Sequence, residues 1–137
     1  MSPDQVRLVK LSFVHALPIA DEVARTFYDR LFAAAPAVRP LFKNDMAEQR
    51  RKLMMTLTFI VGHLDRLDVL LPQAVELARR HVGYGARDHH YPAVGGALIE
   101  ALRAKLGARF TPEVEGAWAA AYQALSSAMI EGAKRAA

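Results

Sequence analysis

The stretch Leu70-Leu71-Pro72-Gln73-Ala74-Val75-Glu76-Leu77-Ala78-Arg79-Arg80-His81-Val82-Gly83 decides the fold class. Its residues Leu70, Ala74, Leu77 and Ala78 recur every three or four positions, the repeat of one helix face. His81 continues that face one turn past Leu77, and Gly83 and Gly85 close the helix. The same period runs outward in both directions. Val6, Val9 and Phe13 mark a first helix, and Ile19, Val23, Phe27 and Leu31 a second. Leu53, Leu57, Ile60, Val61 and Leu64 form a long stripe; Val94, Leu98, Ala101 and Leu102 form another. Val114, Trp118, Ala121, Tyr122, Leu125 and Met129 complete the series. Strand-like alternation is missing, so the chain reads as all-α, with about six substantial helices and one short one.

Boundary residues agree with this reading. Ser2-Pro3-Asp4-Gln5 has the form of a capping box with proline at the first helical position. Leu17-Pro18 separates the first two helices, and Pro36 to Phe42, with Pro40 inside, reads as a short turn-like helix. Asn44-Asp45 caps the next helix, with Glu48 placed to complete a second box. A polar turn at Asp65–Asp68 precedes the quoted stretch, and a loop runs from Gly85 to His90. Tyr91-Pro92 opens the next helix, Gly107 stops it, and Thr111-Pro112-Glu113 starts the last. No repeat or linker interrupts the chain, and one domain spanning 1–137 is expected.

Composition narrows the function classes. The 137 residues are 53% hydrophobic and 23% charged, a globular balance. There is no cysteine, which excludes disulfides, thiolate metal sites and cysteine nucleophiles. Lys+Arg is 18 and Asp+Glu 14, for a net charge of +4. The cations are scattered, with short clusters at Arg50-Arg51-Lys52, Arg79-Arg80 and Lys134-Arg135, so no nucleic-acid surface is expected. No apolar run approaches the ~20 residues of a membrane span. The N-terminus lacks a signal-peptide pattern, and a cytoplasmic location is expected. No Gly-x-Ser-x-Gly elbow, phosphate-binding glycine loop or paired carboxylates appear.

Four residues stand out. His81 faces inward, and a buried imidazole requires a partner: either a hydrogen-bonding group in the core or a metal. Gln49 extends the stripe of Leu53 inward by one turn; it is a boundary residue or a polar group aimed at the core. Tyr28 lies on an apolar helix beside Phe27 and a turn from Phe32, and Phe42 sits at a corner after two prolines. No His pair has zinc spacing. His89 and His90 are adjacent in a polar loop and expected to diverge, while His15 and His63 lie near helix ends.

In their order and spacing these residues resemble a bacterial single-domain globin, similar to the haem domain of flavohaemoglobins and to neuroglobin-like globins. The matching stretches are Thr26-Phe27-Tyr28-Asp29-Arg30-Leu31-Phe32, Pro40-Leu41-Phe42, Gln49-Arg50-Arg51-Lys52-Leu53-Met54, Arg80-His81-Val82-Gly83-Tyr84-Gly85, His90-Tyr91-Pro92-Ala93-Val94-Gly95 and Ala117-Trp118-Ala119-Ala120-Ala121-Tyr122. The resemblance covers essentially the whole chain. It implies haem b (iron protoporphyrin IX) as cofactor and His81 as the proximal iron ligand. By the same resemblance Tyr28, Gln49 and Leu53 form the distal, gas-binding side, and Phe42 stacks on the porphyrin. Lys52 pairs with a propionate, Leu77 and Val94 pack against the ring, and Tyr91 hydrogen-bonds near the proximal imidazole.

The resemblance also implies reversible binding of O2, NO and CO. Alternatives within it are a nitric-oxide dioxygenase using an external reductase, and a haem-based gas sensor. Outside it stands a haem-free helical signalling module. Flavohaemoglobins carry a glutamate late in the last helix; this register reads Arg135, with Glu131 the nearest acid. Without that carboxylate the resemblance does not extend to peroxidase-like oxygen–oxygen cleavage. His63 lies too far along its helix to act as a distal histidine.

Overall fold

A computed structural model describes residues 1–136 except 43, 44, 84, 86 and 87, with the backbone alone at 83, 88, 133, 135 and 136. Six α-helices follow one another among these residues: α1 (Pro3–Ala16), α2 (Ala20–Ala34), α3 (Met46–Gly62), α4 (Leu67–Gly83), α5 (Tyr91–Leu106) and α6 (Pro112–Ala136). Four 3₁₀ segments connect them, at Leu17–Ile19, Pro36–Leu41, Asp88–His90 and Gly107–Arg109, where one short helix was expected.

Local chemistry accounts for most ends. The Ser2 hydroxyl accepts from Gln5 N at 3.1 Å, and Gln5 Oε1 accepts from Ser2 N at 3.0 Å, closing the box. At α3, Asp45 accepts from Ala47 N at 3.1 Å, whereas Asn44 lies outside the described residues. The expected second box does not close: the Glu48 carboxylate is held by Arg51 instead. An arginine one turn on competes for the carboxylate that would have reached back to the cap. Helix α4 starts inside the expected polar turn. Arg66 O accepts from both Val69 N and Leu70 N at 3.0 Å, and Asp68 sits in the first turn, where a negative charge is favoured. Pro72 is carried inside α4. At Gly107 the backbone turns to φ 58°, a conformation open to glycine, and α5 stops there as expected.

Helix α1 packs on α6, α2 on α5, and α3 on α2 and α1, while α4 rests mainly on α6. Although α3 and α4 are consecutive, they make no extensive contact. The core divides accordingly. The main cluster includes Val9, Val23, Leu31 and Leu102 at its centre, with Phe42, Leu53 and Val94 packed against it. A second, small cluster joins Ala74 and Ala78 of α4 to Met129 of α6, with Leu77, Tyr91 and Leu125 leaning on it. Inside the main core, Trp118 Nε1 donates to Ser12 Oγ at 2.8 Å, and Ser12 Oγ donates to Val9 O at 3.0 Å. This chain satisfies the indole N–H and ties α6 to α1. No helix among the described residues is long and apolar enough to cross a membrane.

Candidate functional site

On the α2–α3 side, Tyr28 lies on the inner face of α2 and is only 5% exposed. Three phenyl rings surround it: Phe27 at a centroid distance of 4.9 Å, Phe42 at 5.4 Å and Phe32 at 5.8 Å. Phe42 is fixed where the 3₁₀ segment ends. Its N–H donates to Arg39 O at 3.1 Å, and its carbonyl accepts from Arg39 Nη1, also at 3.1 Å. The Arg39 guanidinium in turn covers the Phe32 ring. Gln49, in the first turn of α3, donates from Nε2 to the Tyr28 hydroxyl at 3.1 Å. Burial pushes the Tyr28 phenol above its ordinary value, with the Gln49 bond opposing. Tyr28 is therefore neutral near pH 7. Its oxygen accepts from the amide, leaving its own proton for another acceptor. Leu53, one turn beyond Gln49, is half-buried; Lys52 beside it is exposed.

On the α4–α6 side, His81 is half-buried and its Nδ1 lies 2.8 Å from Leu77 O. A carbonyl can only accept, so Nδ1 carries the proton and the lone pair sits on Nε2. Burial is the main cause lowering the His81 pKa, the Leu77 carbonyl opposes it, and the Arg80 charge adds to the lowering. The ring is thus neutral at pH 7 and in the tautomer that a metal ligand needs. Tyr91 and Leu77 flank this region on the small cluster.

The sequence did not mark Tyr122 as a site residue, yet its hydroxyl donates to Tyr91 O at 2.6 Å, pinning the start of α5. Burial pushes its phenol well above the ordinary range, so it remains a donor. Gly95 makes room for its ring: a Cβ there would lie 2.6 Å from Tyr122 Cε2. The glycine is the sequence signal that could have found this contact.

The remaining candidates fall elsewhere. Glu131 is exposed and its nearest ion partner is Lys134 at 4.0 Å, so it faces solvent; the Arg135 side chain and Tyr84 lie outside the described residues. His89 and His90 do not diverge. The short Asp88–His90 segment brings their rings to a centroid distance of 4.2 Å. His63 bonds through Nδ1 to Phe59 O at 2.8 Å and stacks on the Phe59 ring, and His15 meets Arg109.

Known proteins share this arrangement of helices. The family model described as Globin matches residues 25–129. The chain belongs to the globin family. This globin is 34% identical over 133 residues to the flavohemoprotein of Bordetella parapertussis, a match covering 95% of the chain and 33% of that protein. To the flavohemoprotein of Pseudomonas aeruginosa it is 37% identical over 109 residues, 77% of the chain and 28% of the relative. The globin thus spans about one-third of the length of the curated relatives it matches. Among solved structures, a bacterial globin from Campylobacter jejuni superposes with a TM-score of 0.85 at 24% identity, covering 98% of each chain. An engineered carbene transferase, built on a putative nitric oxide dioxygenase from Rhodothermus marinus, does so with a TM-score of 0.89 at 24% identity, covering 99% of this globin and 95% of that chain. Both likenesses show the all-α globin fold.

Globin membership and the flavohemoprotein relatives imply a haem cofactor. The side chains fit one. Phe42, Leu53 and Val94 are half-buried apolar side chains on the main cluster, and Leu77 and Tyr91 lean on the small one, a lining of the chemistry that a flat apolar group takes. Among the described residues no group of three or more His, Asp or Glu could hold a metal. A neutral imidazole such as that of His81 is of the chemistry that would hold the iron of a haem.

Proposed function

We propose that residues 1–137 form one globin domain that holds haem b between α3 and α4 and reversibly binds O2, NO and CO. In this reading His81 is the iron ligand through Nε2. Phe42, Leu53, Leu77, Tyr91 and Val94 enclose the ring, and Lys52 reaches a propionate. Bound ferrous haem supplies the position at which a diatomic gas attaches. Tyr28 and Gln49 then act on the gas. The phenol donates its proton to the electron-rich end, and the Gln49 amide holds the phenol oxygen. A hydrogen bond of this kind contributes about 1 kcal/mol, more where the acceptor carries charge, and slows oxygen release accordingly. The observation carrying the reading is the part-buried Gln49–Tyr28 bond on the α2–α3 side, with neutral His81 in a ligand tautomer on α4.

The absorption spectrum of the protein expressed with haem supplied tests this reading. A Soret band with a histidine-ligated ferrous form is expected. His81→Ala should abolish tight haem retention, while His89→Ala and His90→Ala leave the spectrum nearly unchanged. A normal histidine-ligated ferrous spectrum in His81→Ala overturns the assignment.

The names of the similar proteins favour a second reading, a nitric-oxide dioxygenase joining NO and O2 with one electron to give nitrate. The electron would come from a reductase outside these residues. Steady NO consumption with a supplied reductase, rather than a single turnover, supports it.

A further inference from the structure

The cations of the Arg50-Arg51-Lys52 run have separate fates. Arg51 lies on Glu48 of its own helix, and Lys52 is exposed. Arg50 is different: its side chain is only 16% exposed, and Nε donates to Asp21 Oδ1 at 2.8 Å. Asp21 sits in the first turn of α2, and its other oxygen accepts from Arg25 Nη2 at 3.2 Å. Gln49, the residue before Arg50, reaches Tyr28, two helical turns further along the same α2. Adjacent residues of α3 therefore reach in opposite directions along α2.

This arrangement has a mechanical consequence. The buried core residues of α3, Met54, Leu57 and Val61, begin past Gln49 and Arg50, so a single hydrogen bond would leave the first turn of α3 a pivot about which it can shift. Two diverging contacts from neighbouring positions remove that freedom. Turning α3 to withdraw Gln49 from Tyr28 draws Arg50 off Asp21. Asp21 is 61% exposed, so the ion pair sits at the solvent edge of the α2–α3 contact. Beside it α2 and α3 part into a surface groove of about 620 Å³, lined by Ala20, Met54, Met55 and Phe59.

We propose that the Asp21–Arg50 ion pair is a positioning device that fixes the rotation of α3, holds Gln49 against Tyr28, and so sets how strongly this pair grips a bound gas. The proposal rests on the reading of Tyr28 and Gln49 given above.

The test uses the haem-loaded ferrous protein and the variants Arg50→Met, Arg50→Lys, Asp21→Asn and, as reference, Tyr28→Phe. The C–O stretching band of the carbon monoxide complex reports the donor facing the ligand, and stopped-flow mixing gives oxygen release. Arg50→Met and Asp21→Asn should split the C–O band toward a weaker-donor position and quicken oxygen release by about threefold, less than the tenfold expected of Tyr28→Phe. Arg50→Lys, which keeps the charge, should restore the wild-type band. If Tyr28→Phe moves both readouts while Arg50→Met leaves them at wild type, the proposal falls and the reading of Tyr28 stands. If Arg50→Lys only matches Arg50→Met, charge pairing is not what positions Gln49, and the proposal falls. If Tyr28→Phe moves neither readout, the reading of Tyr28 itself fails and takes the proposal with it.

Discussion

The α2–α3 wall and the α4–α6 wall hold their key side chains by opposite means. Tyr28 meets Gln49 across 21 residues of chain, inside a cage of three phenyl rings, and the contact exists only because two helices share a rotation. His81 is oriented within its own helix by a carbonyl four residues back. Its helix is seated instead by close backbone approach: a Cβ at Gly132 of α6 would lie 2.9 Å from Val75 Cγ2 and 3.2 Å from Val75 Cα. Damage to the first wall should therefore change how a gas is gripped. Damage to the second should change how firmly the cofactor is kept.

Gly132→Val is the sharpest way to break the second wall alone. Its side chain meets the Val75 backbone, so α4 must move, at a cost of about 3 kcal/mol. Chemical unfolding should show the loss, and haem transfer to an acceptor protein should quicken, with the ratio of oxygen to carbon monoxide release rates unchanged. A changed ratio would mean that the two walls are not independent.

Ser12→Ala lies in neither wall and serves as the control. It leaves the Trp118 indole N–H buried without its acceptor, which costs about 1–3 kcal/mol. The unfolding midpoint should fall while ligand rates stay at wild type.

Tyr28→Phe breaks the first wall with the least effect on packing. Oxygen release should quicken about tenfold, corresponding to ~1.4 kcal/mol, and carbon monoxide release far less. Equal small changes for both gases would reduce Tyr28 to a residue that shapes the pocket.

Much of this was legible in the sequence where the cause is local. Ser2, Asp45 and Gly107 fix helix ends through atoms a few residues away, and His81 stands on its stripe by the helical period alone. The capping box that Glu48 suggests does not form, because Arg51 competes for the same carboxylate. Helix α4 starts earlier than its polar turn suggests, because Arg66 O accepts from two amides inside that turn. Contacts between distant helices left no periodic trace. The Trp118–Ser12 bond spans 106 residues and the Tyr122–Tyr91 bond 31, and neither follows from either residue's own helix. The resemblance supplied Tyr28 and Gln49 as a pair; only their packing supplied the ion pair beside them.

The split between the two apolar clusters has a further consequence for cooperativity. Among the described residues helix α4 enters the main core through Leu70, near its start, and otherwise rests on α6, whereas α1, α2, α3, α5 and the first half of α6 share the main core. Local opening of α4 beyond Leu70 should therefore cost less than global unfolding, and its amides should exchange ahead of the rest. A ligand bridging both clusters adds its binding free energy to that local opening as well as to global unfolding. The supply of such a ligand then sets by mass action how long α4 stays closed to proteases.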